Sequence, residues 1–213
     1  MKLLTLILVL ISAALLQAAV GCSLNDPDRD VLRIFPQSTN YLTEYISIDS
    51  RGGAELKKEL EQRLGDAFDD KYEKTSVEYS YYTVLKGDQI IGRIHGLNQR
   101  GMFGGMQLIL ATDPQGIIQD FYYQKMSSPE AKLFKSPEFT SQFIDLSLKD
   151  FYQYAQGDNT SALAKITDPS SQSNEDFINT MHGIKKNLIQ LDFFFLNRMH
   201  DEYFIIPQEE NNE

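Results

Sequence analysis

A glycine-rich segment in the middle of the chain is the place where residue type and spacing best suit binding. It reads Gly101-Met102-Phe103-Gly104-Gly105-Met106, and we term Gly101–Gly105 the glycine corner. Glycines admit a close approach of the backbone to a flat ligand, and they also permit a sharp, bulged connection between strands. On spacing alone the structural explanation is favoured, so the pattern predicts a strand connection first and a ligand site second.

The three histidines do not have the spacing of a metal site. We predict His182 and His200 on one long helix, where 18 positions separate them by about 27 Å. They cannot share a metal ion. His95 falls in a predicted strand, on the face opposite Ile90 and Ile94, and we expect it to be exposed.

The chain carries no hydrolase signature. It has no nucleophile elbow, no phosphate-binding P-loop and no zinc-protease helix. A hydrolase using Ser170 with His182 is a weak alternative, because both residues lie near one helix start without a recognisable acid partner. The sequence therefore leaves open whether the protein is an enzyme.

Cys22, the only cysteine, follows an export-like segment. Met1-Lys2 and the apolar run Leu3–Leu16 have the layout of a signal peptide, which we predict over residues 1–21. Gly21-Cys22 resembles a bacterial lipobox, although Ala19 stands where leucine is usual. The resemblance implies a lipoprotein whose Cys22 carries the lipid, including palmitate. The alternative is an ordinary signal that leaves Cys22 as a loose thiol.

A lipid on Cys22 would anchor the protein to a membrane of the cell envelope, facing the periplasm. Ser23 favours the outer membrane where the cell has one. The net charge of −10 at pH 7 argues against binding nucleic acid through a basic face, because a polyanion repels phosphate backbones.

Beyond the signal we predict one domain with polar ends. Residues 22–30 are expected to form a lipid-anchored tether, residues 31–207 the domain, and residues 208–213 a polar tail. Within residues 31–48 we expect packing around one short strand. Glu55–Leu64 is predicted as an amphipathic helix, because its leucines repeat on one face and Gly65 follows as a C-cap.

From Ser76 the apolar period changes to two, which predicts strands. Lys86-Gly87-Asp88-Gln89 predicts a hairpin turn between the first two strands, and Asp113-Pro114-Gln115-Gly116 predicts a turn between the third and fourth. Four consecutive strands joined by turns indicate an antiparallel meander. Short helices are expected over Pro137–Leu146 and Leu148–Gln156.

The last long segment predicts a helix that packs on this sheet. After a Ser173/Asn174 cap, apolar residues recur by threes and fours. They are Phe177, Met181, Ile184, Leu188, Leu191 and Phe195. The predicted fold class is α+β, a twisted antiparallel sheet of at least four strands packed by a long C-terminal helix.

The stretch Gly92–Phe143 resembles the FMN-binding domain of the periplasmic subunits of sodium-pumping NADH:quinone oxidoreductase and of Rnf-type electron-transport complexes. In that family a glycine and an aromatic residue run into an apolar strand, followed by an Asp-Pro-x-Gly turn and another strand. The matching residues here are Gly101, Phe103, Met106, Ile109, Asp113, Pro114 and Gly116. The resemblance implies FMN as cofactor and membrane-associated electron transport as function.

The family attaches its flavin through a Ser-Gly-Ala-Thr motif just ahead of a helix. The corresponding place here reads Thr167-Asp168-Pro169-Ser170, so Thr167 and Ser170 would flank the flavin phosphate. Asp168 adds a negative charge beside that phosphate and Pro169 lacks a backbone N–H, which argues against covalent attachment. A Thr-Pro-Gly-Leu-Gly run of the family also loses its glycines at Ser128-Pro129-Glu130.

Two functions follow from these observations. The first is an exported lipoprotein with an FMN-binding-like domain linked to electron transfer, its flavin held by Gly101, Phe103, Gly104, Gly105, Thr167 and Ser170. The alternative is a flavin-free lipoprotein module that binds a protein partner of the envelope.

Overall fold

A five-stranded antiparallel sheet, with its strands in chain order, forms the centre of the fold. The computed structural model describes residues 22–68 and 74–205; the predicted signal peptide and polar tail lie outside them. The strands are β1 (Asn40–Ile46), β2 (Tyr79–Lys86), β3 (Gln89–Gly101), β4 (Gly104–Thr112) and β5 (Ile118–Met126). The predicted meander is confirmed, and β1 adds a fifth strand to it.

Seven α-helices accompany the sheet in the described residues. They are α1 (Pro27–Ile34), α2 (Ile48–Arg51), α3 (Gly53–Leu64), α4 (Ala131–Phe134), α5 (Pro137–Thr140), α6 (Leu148–Ala155) and α7 (Asn174–Phe195). Short 3-10 turns cover Ser141–Phe143, Ala162–Lys165 and Asp201–Tyr203. The fold is therefore α+β, as the sequence predicts. Within the described ranges, no helix has both the length and the apolar composition needed to span a bilayer.

The long helix α7 covers one face of the sheet. Its stripe residues Ile184, Leu188 and Leu191 are buried, and the first two join one core cluster with Leu97 of β3 and Leu108 of β4. The helix also contacts the sheet outside this stripe, because a Cβ on Gly183 would meet Leu108 Cδ1 and the Thr180 hydroxyl lies 2.7 Å from the Tyr123 hydroxyl. The predicted packing of helix on sheet is confirmed.

The N-terminal segment covers the opposite face of the sheet. Cys22, Leu24 and Val31 are buried there in a second cluster that includes Ile94 and Ile109. This differs from the tether expected over residues 22–30, whose second half begins α1. The physical reason is that the strands carry apolar residues on this face too, and those residues need a cover.

His95 is buried, so the expectation of an exposed strand histidine is wrong. It lies 1% exposed, and its ring stacks on Tyr81 with centroids 5.5 Å apart. Desolvation by burial lowers the pKa of His95 to about 3. The polar residues that alternate along β3 are therefore not exposed to solvent. Helix α7 packs over the face that carries them, and the N-terminal segment packs over the apolar face.

Candidate functional site

The glycine corner forms the tight connection between β3 and β4. Gly101 ends β3, while Gly104 and Gly105 begin β4. A Cβ on Gly101 would lie 2.8 Å from Asp176 Oδ1 and 3.0 Å from the Gly104 carbonyl oxygen, so no larger residue fits there. Gly104 has a φ of 143°, which also favours glycine. Phe103, at the tip, is about half exposed.

A buried carboxylate joins the glycine corner to the first turn of α7. Asp176 Oδ1 accepts a hydrogen bond of 2.7 Å from the Met102 backbone N–H. Its other oxygen, Oδ2, is buried and has no hydrogen-bond partner among the described residues. The corner and the helix start are thus in direct contact, as the sequence resemblance requires of the two elements that would border a flavin.

The two hydroxyl residues ahead of α7 are held by the protein itself. Asp168 Oδ1 accepts hydrogen bonds from the Ser170 backbone N–H, at 2.8 Å, and from the Ser170 hydroxyl, at 2.7 Å. Asp168 Oδ2 accepts a third, of 2.8 Å, from the Asn174 side chain. The Thr167 backbone N–H donates to Gln142 Oε1 at 2.8 Å. Ser170 therefore already has an anionic partner.

Glu130 binds the next two residues of the same loop. Its carboxylate accepts hydrogen bonds from the Ser171 hydroxyl, at 2.7 Å, and from the backbone N–H groups of Ser171 and Gln172, both at 3.1 Å. These bonds, first among them that from the Ser171 hydroxyl, lower the pKa of Glu130 to about 2. An ionised carboxylate thus fills an anion position just ahead of α7.

Carboxylates engage the donors of Ser170, Ser171 and Gln172 in this loop. Ser170 and Ser171 are neighbours in the chain, so the carboxylates of Asp168 and Glu130 bind adjacent residues, while Asp176 lies in the helix turn that follows. A dianionic phosphate at this place would meet like charges and donors that are already engaged. The arrangement holds a loop against a hairpin; it does not offer an empty phosphate cradle.

The sequence indicated the glycine corner and the loop ahead of α7 as candidate site segments. It did not indicate Asp176 or the role of Glu130. Glu130 stands where the resembling family has glycine, and that substitution was the one available signal. Asp176 had none, because a first-turn aspartate is common at helix starts whether or not it reaches another element.

In the part of the chain that the structure describes, no three His, Cys, Asp or Glu side chains are grouped as a metal site would need. His200 lies beyond the end of α7, which corrects its predicted place on that helix. Its Nδ1 lies 2.7 Å from Asp192 Oδ1, and both side chains are buried. This pair ties the chain after α7 back to the helix.

No family model and no curated protein matches this chain.

Proposed function

We propose that the protein is a flavin-free lipoprotein module of the cell envelope, on a domain that resembles FMN-binding domains, and that it binds an envelope protein partner. The observation that carries this proposal is the Glu130 carboxylate on Ser171 and Gln172. An internal carboxylate there performs the task that a bound phosphate would otherwise perform, which is to satisfy the loop donors and fix the loop.

Asp168 strengthens the argument, because a second carboxylate engages the hydroxyl that would meet the flavin phosphate. Ser170 uses both its N–H and its hydroxyl on Asp168. FMN would have to break these bonds and also overcome the repulsion between its phosphate and two ionised side chains. Among the described residues, the hydrogen bonds of Ser170, Ser171 and Gln172 go to the carboxylates of Asp168 and Glu130.

The open edge of the sheet is the surface that suits a protein partner. Strand β1 ends the sheet on one side, and five of its seven residues are exposed. Leu42 and Tyr45 are 54% and 58% exposed. At the other edge, the Ile118 N–H and carbonyl of β5 bond to Leu146 and Asp145. An extended segment of a partner can add to the β1 edge through backbone hydrogen bonds.

The flavin-free state has a direct test. We expect the purified parent protein to be colourless and to give no saturable quenching of FMN fluorescence, because Glu130 and Asp168 occupy the phosphate position. Replacing both, Glu130→Gln with Asp168→Gly, should produce measurable FMN binding. Glu55→Gln, which removes an exposed charge on α3, is the matched control and should bind none. A parent protein that retains stoichiometric flavin would overturn the proposal.

The partner surface is tested separately. A photo-crosslinking amino acid at Tyr45, introduced into cells that make the full chain, should give one adduct of defined mass. The same group at Tyr154, an exposed position on α6, should not. Leu42→Asp should abolish the Tyr45 adduct, because a charge on the strand opposes strand addition. Equal adducts at both positions would argue against a specific β1 interface.

An electron-transfer flavoprotein is the second candidate, favoured by one observation. The glycine corner lies beside the first turn of α7, in contact through the bond between Met102 and Asp176, so the two elements that would border a flavin are neighbours. Flavin absorbance before and after denaturation separates the candidates: loss of colour on denaturation indicates non-covalent FMN, and retained colour indicates covalent attachment at Ser170.

A further inference from the structure

A cavity of about 590 Å³ lies away from the glycine corner, between the C-terminal end of α3, α6, α7 and the chain after α7. Its size is within the range of small-molecule sites. Apolar walls come from Leu64, Tyr152, Phe204 and Ile205. Tyr152 and Phe204 pack on each other, with ring centroids 5.3 Å apart. A ligand body in this cavity would therefore contact mostly carbon.

One half-buried cation on the cavity wall has no carboxylate partner among the described residues. Lys185 Nζ donates a hydrogen bond of 2.7 Å to the Leu64 carbonyl oxygen, and its ammonium lies 5.9 Å from the centre of the Tyr152 ring. One carbonyl uses a single proton of the three on an ammonium group. The remaining charge and donors suit an anionic acceptor.

The other cation of the wall is already neutralised. Arg63 donates to Asp201 Oδ1 through both Nε, at 3.1 Å, and Nη2, at 2.8 Å. It is buried, and its guanidinium lies 5.0 Å from the centre of the Phe204 ring. Arg63 therefore shapes the wall, and the cavity offers one net positive charge, at Lys185.

Tyr152 supplies wall surface. It is 2% exposed and lines the cavity, whereas its hydroxyl oxygen is itself buried and has no hydrogen-bond partner among the described residues. A ligand in the cavity therefore does not reach this hydroxyl, and Lys185 remains the charged contact that the wall offers. An ammonium group donates charge-assisted hydrogen bonds to a carboxylate.

We propose that this cavity binds an amphipathic monocarboxylate, with its carboxylate on the Lys185 ammonium and its apolar body along Tyr152, Phe204 and Ile205. The single charge of the site selects one negative charge on the ligand, and the apolar walls select a hydrocarbon body. This site is independent of the function proposed for the glycine corner and the β1 edge.

The charge of the site changes with pH through Lys185 alone. Burial lowers the pKa of Lys185 to about 8, so its ammonium is largely lost by pH 10. The titratable groups around it are Arg63 with Asp201, Tyr152, His182 and, next to the lining residue Gly65, Asp66. Arg63 stays charged because it cannot lose its proton in this range. Burial raises the pKa of Tyr152 above its ordinary value, and burial together with nearby Lys185 lowers that of His182, so both stay neutral from pH 7 to 10.

The test uses decanoate as the probe and decanol as its neutral counterpart, each titrated calorimetrically into the full chain at pH 7. We expect saturable decanoate binding that Lys185→Met weakens by about tenfold or more, since one charge-assisted hydrogen bond is lost. Lys58→Met, at an exposed position of α3, is the matched control and should leave the affinity unchanged.

A pH series provides a second measurement. If Lys185 had only a structural role, the decanoate affinity would not follow the loss of its charge. Decanoate binding to the parent should weaken by about tenfold between pH 7 and 10, whereas binding to the Lys185→Met variant should stay level across that range. Decanol binding as tight as decanoate, or an unchanged decanoate affinity in folded Lys185→Met, would overturn the proposal. Absence of saturable binding by decanoate would do the same.

Discussion

Replacing Leu188 by alanine is expected to lower the free energy of unfolding by about 2–5 kcal/mol. Leu188 lies midway along α7, is 1% exposed and belongs to the cluster between α7 and the sheet. Alanine would remove three carbons from this cluster and leave a cavity that the packed strands cannot close. The denaturant midpoint of the purified protein measures the effect.

Ile178→Ala is the matched control on the same helix. Ile178 is 57% exposed, so its truncation should change the unfolding free energy by no more than about 0.5 kcal/mol. If the denaturant midpoint of Leu188→Ala equalled that of the parent, the apolar stripe of α7 would not be part of the core, and the prediction would be wrong.

The elements with strong periodicity were predictable from the sequence. The alternation after Ser76 and the two turns at Gly87 and Gly116 define β2 to β5, because strand and turn propensities act over a few residues. The long helix was predictable for the same reason, since its apolar stripe is a local signal, although the Ser173 side chain makes no capping hydrogen bond. Helix α7 starts after Ser173 as expected.

The second layer over the sheet was not predictable from local signals. Residues 22–30 are polar enough to suggest a tether, yet Leu24 is buried and its backbone N–H donates to the Tyr82 hydroxyl at 3.2 Å. The same missing information explains the error at His95: alternation shows which residues share a face, but only the tertiary structure shows what covers that face.

The candidate site also has one part that local sequence predicted and one part that it did not. Glycines at 101, 104 and 105 indicated a tight corner, which is what β3 and β4 form. The carboxylate contacts depend on loops distant in sequence: Glu130 and Ser171 are 41 positions apart, and Met102 and Asp176 are 74 apart. No pattern within one segment reveals such pairs, so the charge that opposes a phosphate became visible only in the fold.

Cys22→Ser is expected to move the protein from the membrane fraction to the soluble fraction almost completely, because the substitution removes the sulfur that would carry the lipid. Among the described residues, no helix is long and apolar enough to span a bilayer. Fractionation of cells followed by detection of the protein measures the result. Ser80→Ala, which removes the 2.8 Å contact between the hydroxyls of Ser23 and Ser80 but keeps the cysteine, should fractionate as the parent does.

The burial of Cys22 allows a second test of lipidation, by thiol labelling. Its Sγ lies 3.1 Å from where a Cβ on Gly96 would stand, and burial raises the pKa of the thiol to about 12. An unmodified thiol in that place would resist maleimide in the folded protein and react once the protein is unfolded, because reactivity requires an accessible thiolate. A sulfur bonded to diacylglycerol cannot react in either state, and its lipid must leave the sheet surface to reach a membrane. We therefore expect the parent to remain unlabelled after unfolding; full labelling of Cys22 in denaturant would show that the cysteine packs on β3 as a free thiol and anchors nothing.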